Sequence, residues 1–322
     1  MSAAPNGRRV IADIGGTNAR FAIAERGAYR ALSHVAVRDY PTLQDALADY
    51  LSRLPADMQP ATGVLAIAAP ILGDEIHLTN QSWSFSIAAL KTALGLLSLR
   101  VINDFAAVAA AIPYLPAASC RPIGPAIAGA HGPIGAIGPG TGLGVSSLVP
   151  DRGGWALVAG EGGHVTLPGV TAEEDAVIVA LRRRWSHVSA ERVLSGPGLV
   201  NLYEALCTVA GQPAQPLSPA EITDQAIRGT DPTCVATLRM FCAMLGTVAG
   251  NLAVTIGATG GIYLAGGIVQ RFVDVFAASP FRARFEDKGR FQSYLERIPT
   301  VVIMDESPAL LGLANYEDRR TA

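Results

Sequence analysis

Asp13-Ile14-Gly15-Gly16-Thr17-Asn18 is a stretch suited to meeting an anion. Its two adjacent glycines let backbone come close to a ligand, and their N–H groups can point at negative charge. Thr17 and Asn18 add side-chain donors. Asp13 sets a carboxylate where it could hold a hydrated Mg²⁺ beside phosphates. The other reading is a plain hairpin whose Asp and Asn make local turn bonds. Two more glycine-rich stretches favour phosphate. Gly138-Pro139-Gly140-Thr141-Gly142-Leu143-Gly144 sits between apolar runs, and Ala265-Gly266-Gly267-Ile268 joins a strand-like run to a helix-like one. Such turns suit phosphates and a nucleotide lying against backbone.

Familiar nucleotide fingerprints fail on spacing. A P-loop needs a lysine after glycine, and neither Lys91 nor Lys288, the only two, follows one. The alternate glycines of 138–144 miss G-x-G-x-x-G, which argues against a dinucleotide oxidoreductase. Protein-kinase H-R-D and D-F-G motifs are absent. A further carboxylate, Asp104, follows the apolar run Leu99–Ile102 and opens an alanine-rich helix. At the carboxyl end of a strand it could take a proton from an acceptor hydroxyl, or it could serve only as the helix cap.

The elements that must position these residues alternate. Val10-Ile11 and Arg20 to Ala24 flank the first glycine pair and predict a hairpin, with a third strand over 33–37. Thr42 is the expected N-cap of a helix running to about Leu54. Buried strands are expected at 63–69 and 99–102, with helices over 86–94 and 105–112. The proline-rich stretch Pro113 to Pro125 is the expected boundary. It separates a small α/β domain, 1–112, from a larger one, 113–305, with a C-terminal helix within 306–322 packing back on the first. Short strands near 134–137, 144–148 and 155–158 precede helices over 171–256, and late strands are expected at 261–265 and 301–304. Alternation of this kind indicates layered α/β architecture.

The 322 residues are half hydrophobic, with few aromatics and a net charge of −2, so nothing suggests nucleic acid as a partner. Cys120, Cys207, Cys234 and Cys242 lack C-x-x-C spacing and read as buried thiols. No signal-like apolar segment follows Met1, and Gly250-Asn251 are expected to interrupt the longest apolar run, 240–256. A soluble cytoplasmic protein with no membrane partner is the expectation.

Taken together the motifs resemble the bacterial glucokinase family of the non-ROK type, within the actin-like ATPase and hexokinase superfamily. The resemblance rests on 13–20, on Ile102-Asn103-Asp104-Phe105, on Gly160-Glu161-Gly162-Gly163-His164-Val165 and on 189–198. Thr79-Asn80-Gln81-Ser82-Trp83 and 285–291 fit as well, so it covers nearly the whole chain, Val10 to Leu313. It implies two ribonuclease-H-like domains flanking a cleft that closes on the sugar, and Mg-dependent transfer of the ATP γ-phosphoryl group to O6 of glucose. Asp104 would be the general base, and Asn103, Asp104, Glu161, His164 and Glu191 the sugar contacts. Asp13 would order Mg²⁺ through water. Gly15, Gly16, Thr17, Asn18, Gly140, Thr141 and Gly142 would line the phosphates, with Gly266 and Gly267 under the adenosine. Arg20 could add charge. Judged by itself, Glu191 reads as an exposed acid in the first turn of a helix after Ser189, and Trp83 as either a sugar neighbour or core. The resemblance also implies a homodimer. Other hexose kinases and a non-catalytic sugar sensor are the competing readings.

Overall fold

The computed structural model describes residues 7–69, 71–78, 83–125 and 131–317. Thr79 to Ser82 of the motif above, and the last five residues of the expected C-terminal segment, lie outside them. The chain forms two compact units, one of 1–117, 156–159 and 305–322, the other of 118–155 and 160–304.

In the first unit, β1 (Arg8–Ile14), β2 (Asn18–Glu25) and β3 (Ala28–Ala36) form an antiparallel meander. Helix α1 (Leu43–Ser52) follows, capped by the Thr42 hydroxyl. Then come β4 (Thr62–Ile67), a small ribbon of β5 (Glu75–His77) and β6 (Ser84–Ser86), α2 (Ile87–Ala93), β7 (Ser98–Asn103) and α3 (Asp104–Ala111). The sheet order is β3-β2-β1-β4-β7, with β4 and β7 parallel to β1.

Strand periodicity sorts the side chains of β1 between two cores. Val10, Ala12 and Ile14 pack with Leu43, Leu47, Trp83 and Leu90. Ile11 packs with Ala66, Ala107, Leu310 and Leu313 on the other face. Trp83 is therefore core: it is fully buried and its indole N–H donates to the Tyr40 carbonyl.

The second unit contains β8 (Cys120–Ile123), β9 (Ile134–Pro139), β10 (Leu143–Asp151) and β11 (Gly154–Gly160), of which 156–159 are counted with the first unit. Helices α4 (Ala172–Arg182), α5 (Gly196–Val209), α6 (Pro219–Arg228) and α7 (Pro232–Ile256) follow, then β12 (Gly261–Leu264). Short helices α8 (Gly267–Gln270), α9 (Val273–Ala277), α10 (Phe281–Glu286) and α11 (Gln292–Leu295) lead to β13 (Thr300–Ile303). The sheet runs β11-β10-β9-β12-β13-β8. Its β10-β9-β12-β13 portion repeats the β2-β1-β4-β7 arrangement of the first unit, an antiparallel pair followed by two parallel additions.

Helix α7 corrects one expectation. It is continuous through Gly250 and Asn251 and, by length and composition, apolar enough to cross a bilayer, although 78% of its most apolar window is buried inside the protein. Gly250 does not break the helix; it gives the Phe285 carbonyl room, since a Cβ there would lie 2.6 Å from that oxygen.

In the first unit the C-terminal helix, Pro308–Asn315, packs against α3. The contact is backbone to backbone, because a Cβ on Gly312 would overlap the carbonyl of Ala107. Overpacking of this kind typically costs about 1–3 kcal/mol or more. Gly312→Ala is accordingly expected to lower the urea midpoint by a corresponding amount; an unchanged midpoint would refute this account of the packing.

Candidate functional site

In the first unit the carboxyl edge of the sheet gathers the predicted residues. The β1–β2 turn is closed by backbone, with Gly15 N–H donating to the Asn18 carbonyl at 3.0 Å. Val37 N–H donates to the Thr17 carbonyl at 2.9 Å, which ties the turn to the end of β3. Gly16, Thr17 and Asn18 face solvent. Asp13 and Arg20 are directly opposed across the hairpin, so their side chains meet at 3.3 Å. Burial nevertheless pushes the Asp13 carboxyl above its ordinary value, with the Arg20 guanidinium countering only in part.

Ladder register places Ile14 beside Ile67, and Ile67 beside Asn103. Strand spacing then sets the Asp13 turn and the Asn103-Asp104 pair about 10 Å apart along one edge. Asn103 is the N-cap of α3: its Oδ1 accepts from Phe105 N–H at 2.9 Å and Ala106 N–H at 3.1 Å. The capping role considered for Asp104 thus falls to its neighbour. Asp104 is the first helical residue, where unpaired N–H groups favour a carboxylate, and its Oδ1 accepts from Phe105 N–H at 2.7 Å. With its oxygen spent on the cap, Asn103 has its amide N–H₂ left to donate.

In the second unit four segments meet around the β9–β10 turn. Gly140 N–H donates to the Gly142 carbonyl, and Gly196 N–H at the start of α5 donates to the Gly140 carbonyl, both at 2.8 Å. Gly266 sits at φ +89, a region that favours glycine, and a Cβ there would overlap the Pro139 carbonyl. Gly267 begins α8 and is exposed, as is Thr141. Glu161 and His164 are exposed at the two ends of a 3₁₀ turn, joined by His164 N–H donating to the Glu161 carbonyl at 3.0 Å. That turn is held down at Gly163, where a Cβ would overlap the Leu143 carbonyl.

Glu191 is not in the first turn of a long helix. Ala190–Arg192 is a single 3₁₀ turn, and the long helix starts at Gly196, capped by Ser195. The Glu191 carboxylate is half-buried and its Oε2 accepts from Leu143 N–H at 2.8 Å. Backbone pairing of Ala190 N–H to the Val165 carbonyl sets this turn beside the one bearing His164. Sequence reasoning missed Leu143 and Ser195. The Ser195 hydroxyl donates to the Glu191 carbonyl at 2.8 Å, and its only signal was a serine preceding Gly-Pro-Gly.

A family model described as Glucokinase matches residues 10–320. The glucokinase of Nitrobacter hamburgensis is 64% identical over 307 residues, covering 95% of this chain and 96% of that protein. The crystal structure of a glucokinase from an Antarctic psychrotroph superimposes with a TM-score of 0.88 at 38% identity, covering 96% of this chain and 98% of that one. A ROK-family glucokinase from Streptomyces griseus, solved with glucose and AMPPNP, aligns with a TM-score of 0.61 at 19% identity over 96% and 98% of the two chains. That distant likeness shows the fold alone. With a family match along nearly its whole length and a relative 64% identical, the chain belongs to the glucokinase family.

Proposed function

We propose that the protein transfers the γ-phosphoryl group of ATP to O6 of glucose, giving glucose 6-phosphate and ADP. The observation that carries this reading is the placement of Asn103-Asp104 on the same sheet edge as the Asp13–Asn18 turn. Asp104 accepts the O6 proton as the oxygen attacks the γ-phosphorus, and the bond to the bridging β–γ oxygen breaks to release ADP. Such base assistance is worth roughly 10²–10⁴ in rate. Asn103, Glu161, His164 and Glu191 orient the sugar hydroxyls. Backbone N–H groups of Gly16 and Thr17 in one turn and of Thr141 and Gly142 in the other cradle phosphate oxygens, with Gly266 and Gly267 under the adenosine.

The donors present fit Mg²⁺. Asp13 is a carboxylate whose burial disfavours its charge and whose ion pair with Arg20, at 3.3 Å, offsets that only in part, so a cation nearby would relieve it. Mg²⁺ keeps most of its waters and takes one or two carboxylates plus phosphates. When bound it supplies charge neutralisation on the transferring phosphates. The ROK group carries a Cys-rich zinc signature, and assignment outside it is supported by the cysteines here: Cys207, Cys234 and Cys242 are buried on helices α5 and α7, and Cys120 is apart on β8. The same reading carries a cytoplasmic enzyme acting as a homodimer, which light scattering of the purified protein checks.

With Mg-ATP and a panel of hexoses, a coupled ADP assay is expected to show glucose as the preferred acceptor, and polyphosphate in place of ATP tests the donor. Asp104→Ala should lower kcat by about 10²–10⁴ and leave glucose affinity within a few-fold; undiminished kcat would remove Asp104 as base. Asp13→Asn should remove most Mg-ATP turnover yet raise the melting temperature of the nucleotide-free protein at pH 7. The sign follows from the raised folded-state pKa. The folded carboxyl holds its proton more tightly than the unfolded one, so its ionisation costs stability as pH rises from about 3.8 through the folded value. Below the unfolded value the two proteins should melt alike. A lower melting temperature for Asp13→Asn at pH 7 would contradict the burial argument.

A further inference from the structure

The bond from Leu143 N–H to Glu191 Oε2 joins the turn proposed for phosphate to an acid proposed for sugar. It exists only because residue 142 lacks a side chain. A Cβ on Gly142 would stand 2.5 Å from Glu191 Oε2, closer than real Cβ contacts come. Backbone on both sides of this contact is fixed. Gly196 N–H holds the Gly140 carbonyl, and Ser195, capping the same helix, holds the Glu191 carbonyl with its hydroxyl. The carboxylate at the tip of Glu191 is the part that can move.

We propose that Gly142 is a positioning residue for the hexose: its bare Cα lets Glu191 anchor one carboxylate oxygen on the 140–142 turn and offer the other to a sugar hydroxyl. The proposal rests on the reading of Glu191 as a sugar contact. Hexose affinity and the seating of the phosphate turn then share one carboxylate. Gly142 is not at positive φ, so alanine fits the backbone there and the added methyl displaces the carboxylate rather than the turn.

The test is a double-mutant cycle read by calorimetry with glucose and no nucleotide. Gly142→Ala is expected to weaken glucose binding about tenfold, the loss of one hydrogen bond to a charged group. That penalty should vanish in the Glu191→Ala background, since the two residues act through one contact. Unchanged glucose affinity in Gly142→Ala, or an equal penalty in both backgrounds, overturns the proposal. A second arm does not need the alanine at 142 to fold. At saturating glucose, Glu191→Ala should raise the KM for ATP several-fold, whereas His164→Ala, which has no bond to the turn, should raise only the KM for glucose. Equal KM values for ATP in Glu191→Ala and wild type also overturn it. If Glu191→Ala binds glucose as tightly as wild type, the sugar-contact reading itself fails, an outcome separate from the loss of coupling.

Discussion

Bare backbone at the β9–β10 turn is the constraint on which the second unit's site depends. Gly266 admits the Pro139 carbonyl at one end of the turn, and Gly163 admits the Leu143 carbonyl at the other. Side chains at either position would push away the strand that carries the turn. These two contacts bring the 161–164 and 266–267 segments within reach of residues 140–142, and the Leu143–Glu191 bond adds a third segment. The site is thus assembled by close approach of main chains, and side chains are added to a frame already fixed.

The first unit solves a similar problem with register. Three parallel strands end together, so the glycine turn after β1 and the Asn103-Asp104 step at the end of β7 share an edge. The alternation that buries Ile11 also carries Asp13 toward the interior, and the cost of burying its charge is only partly met by Arg20. That unmet cost is what a cation beside a nucleotide would relieve in the proposed reaction, which links ligand binding to the strand pattern of β1.

Much of this was legible in the chain. The hairpin around Gly15-Gly16, the Thr42 cap and the strand-to-helix step at Asn103-Asp104 are local features, set by residues within a few positions of one another. Three long-range features were not legible. Glu191 reads as an ordinary exposed acid because its partner, Leu143 N–H, is 48 residues away and is a backbone group with no sequence signature. Trp83 could be core or site until Tyr40, 43 positions earlier, supplied its acceptor. Gly250 suggested an interruption because helix propensity is local, whereas the close approach of the Phe285 carbonyl that demands a glycine is tertiary.

The central claim is that Asp104 faces the reacting hydroxyl while Glu191 serves sugar and turn together. A crystal structure of the protein with glucose and a non-hydrolysable ATP analogue tests it most directly. The account predicts glucose O6 within about 2.6–3.2 Å of an Asp104 carboxylate oxygen, with Glu191 holding Leu143 N–H and a sugar hydroxyl at once. A sugar whose O6 points away from Asp104, or a Glu191 that releases Leu143 to bind it, would contradict the account.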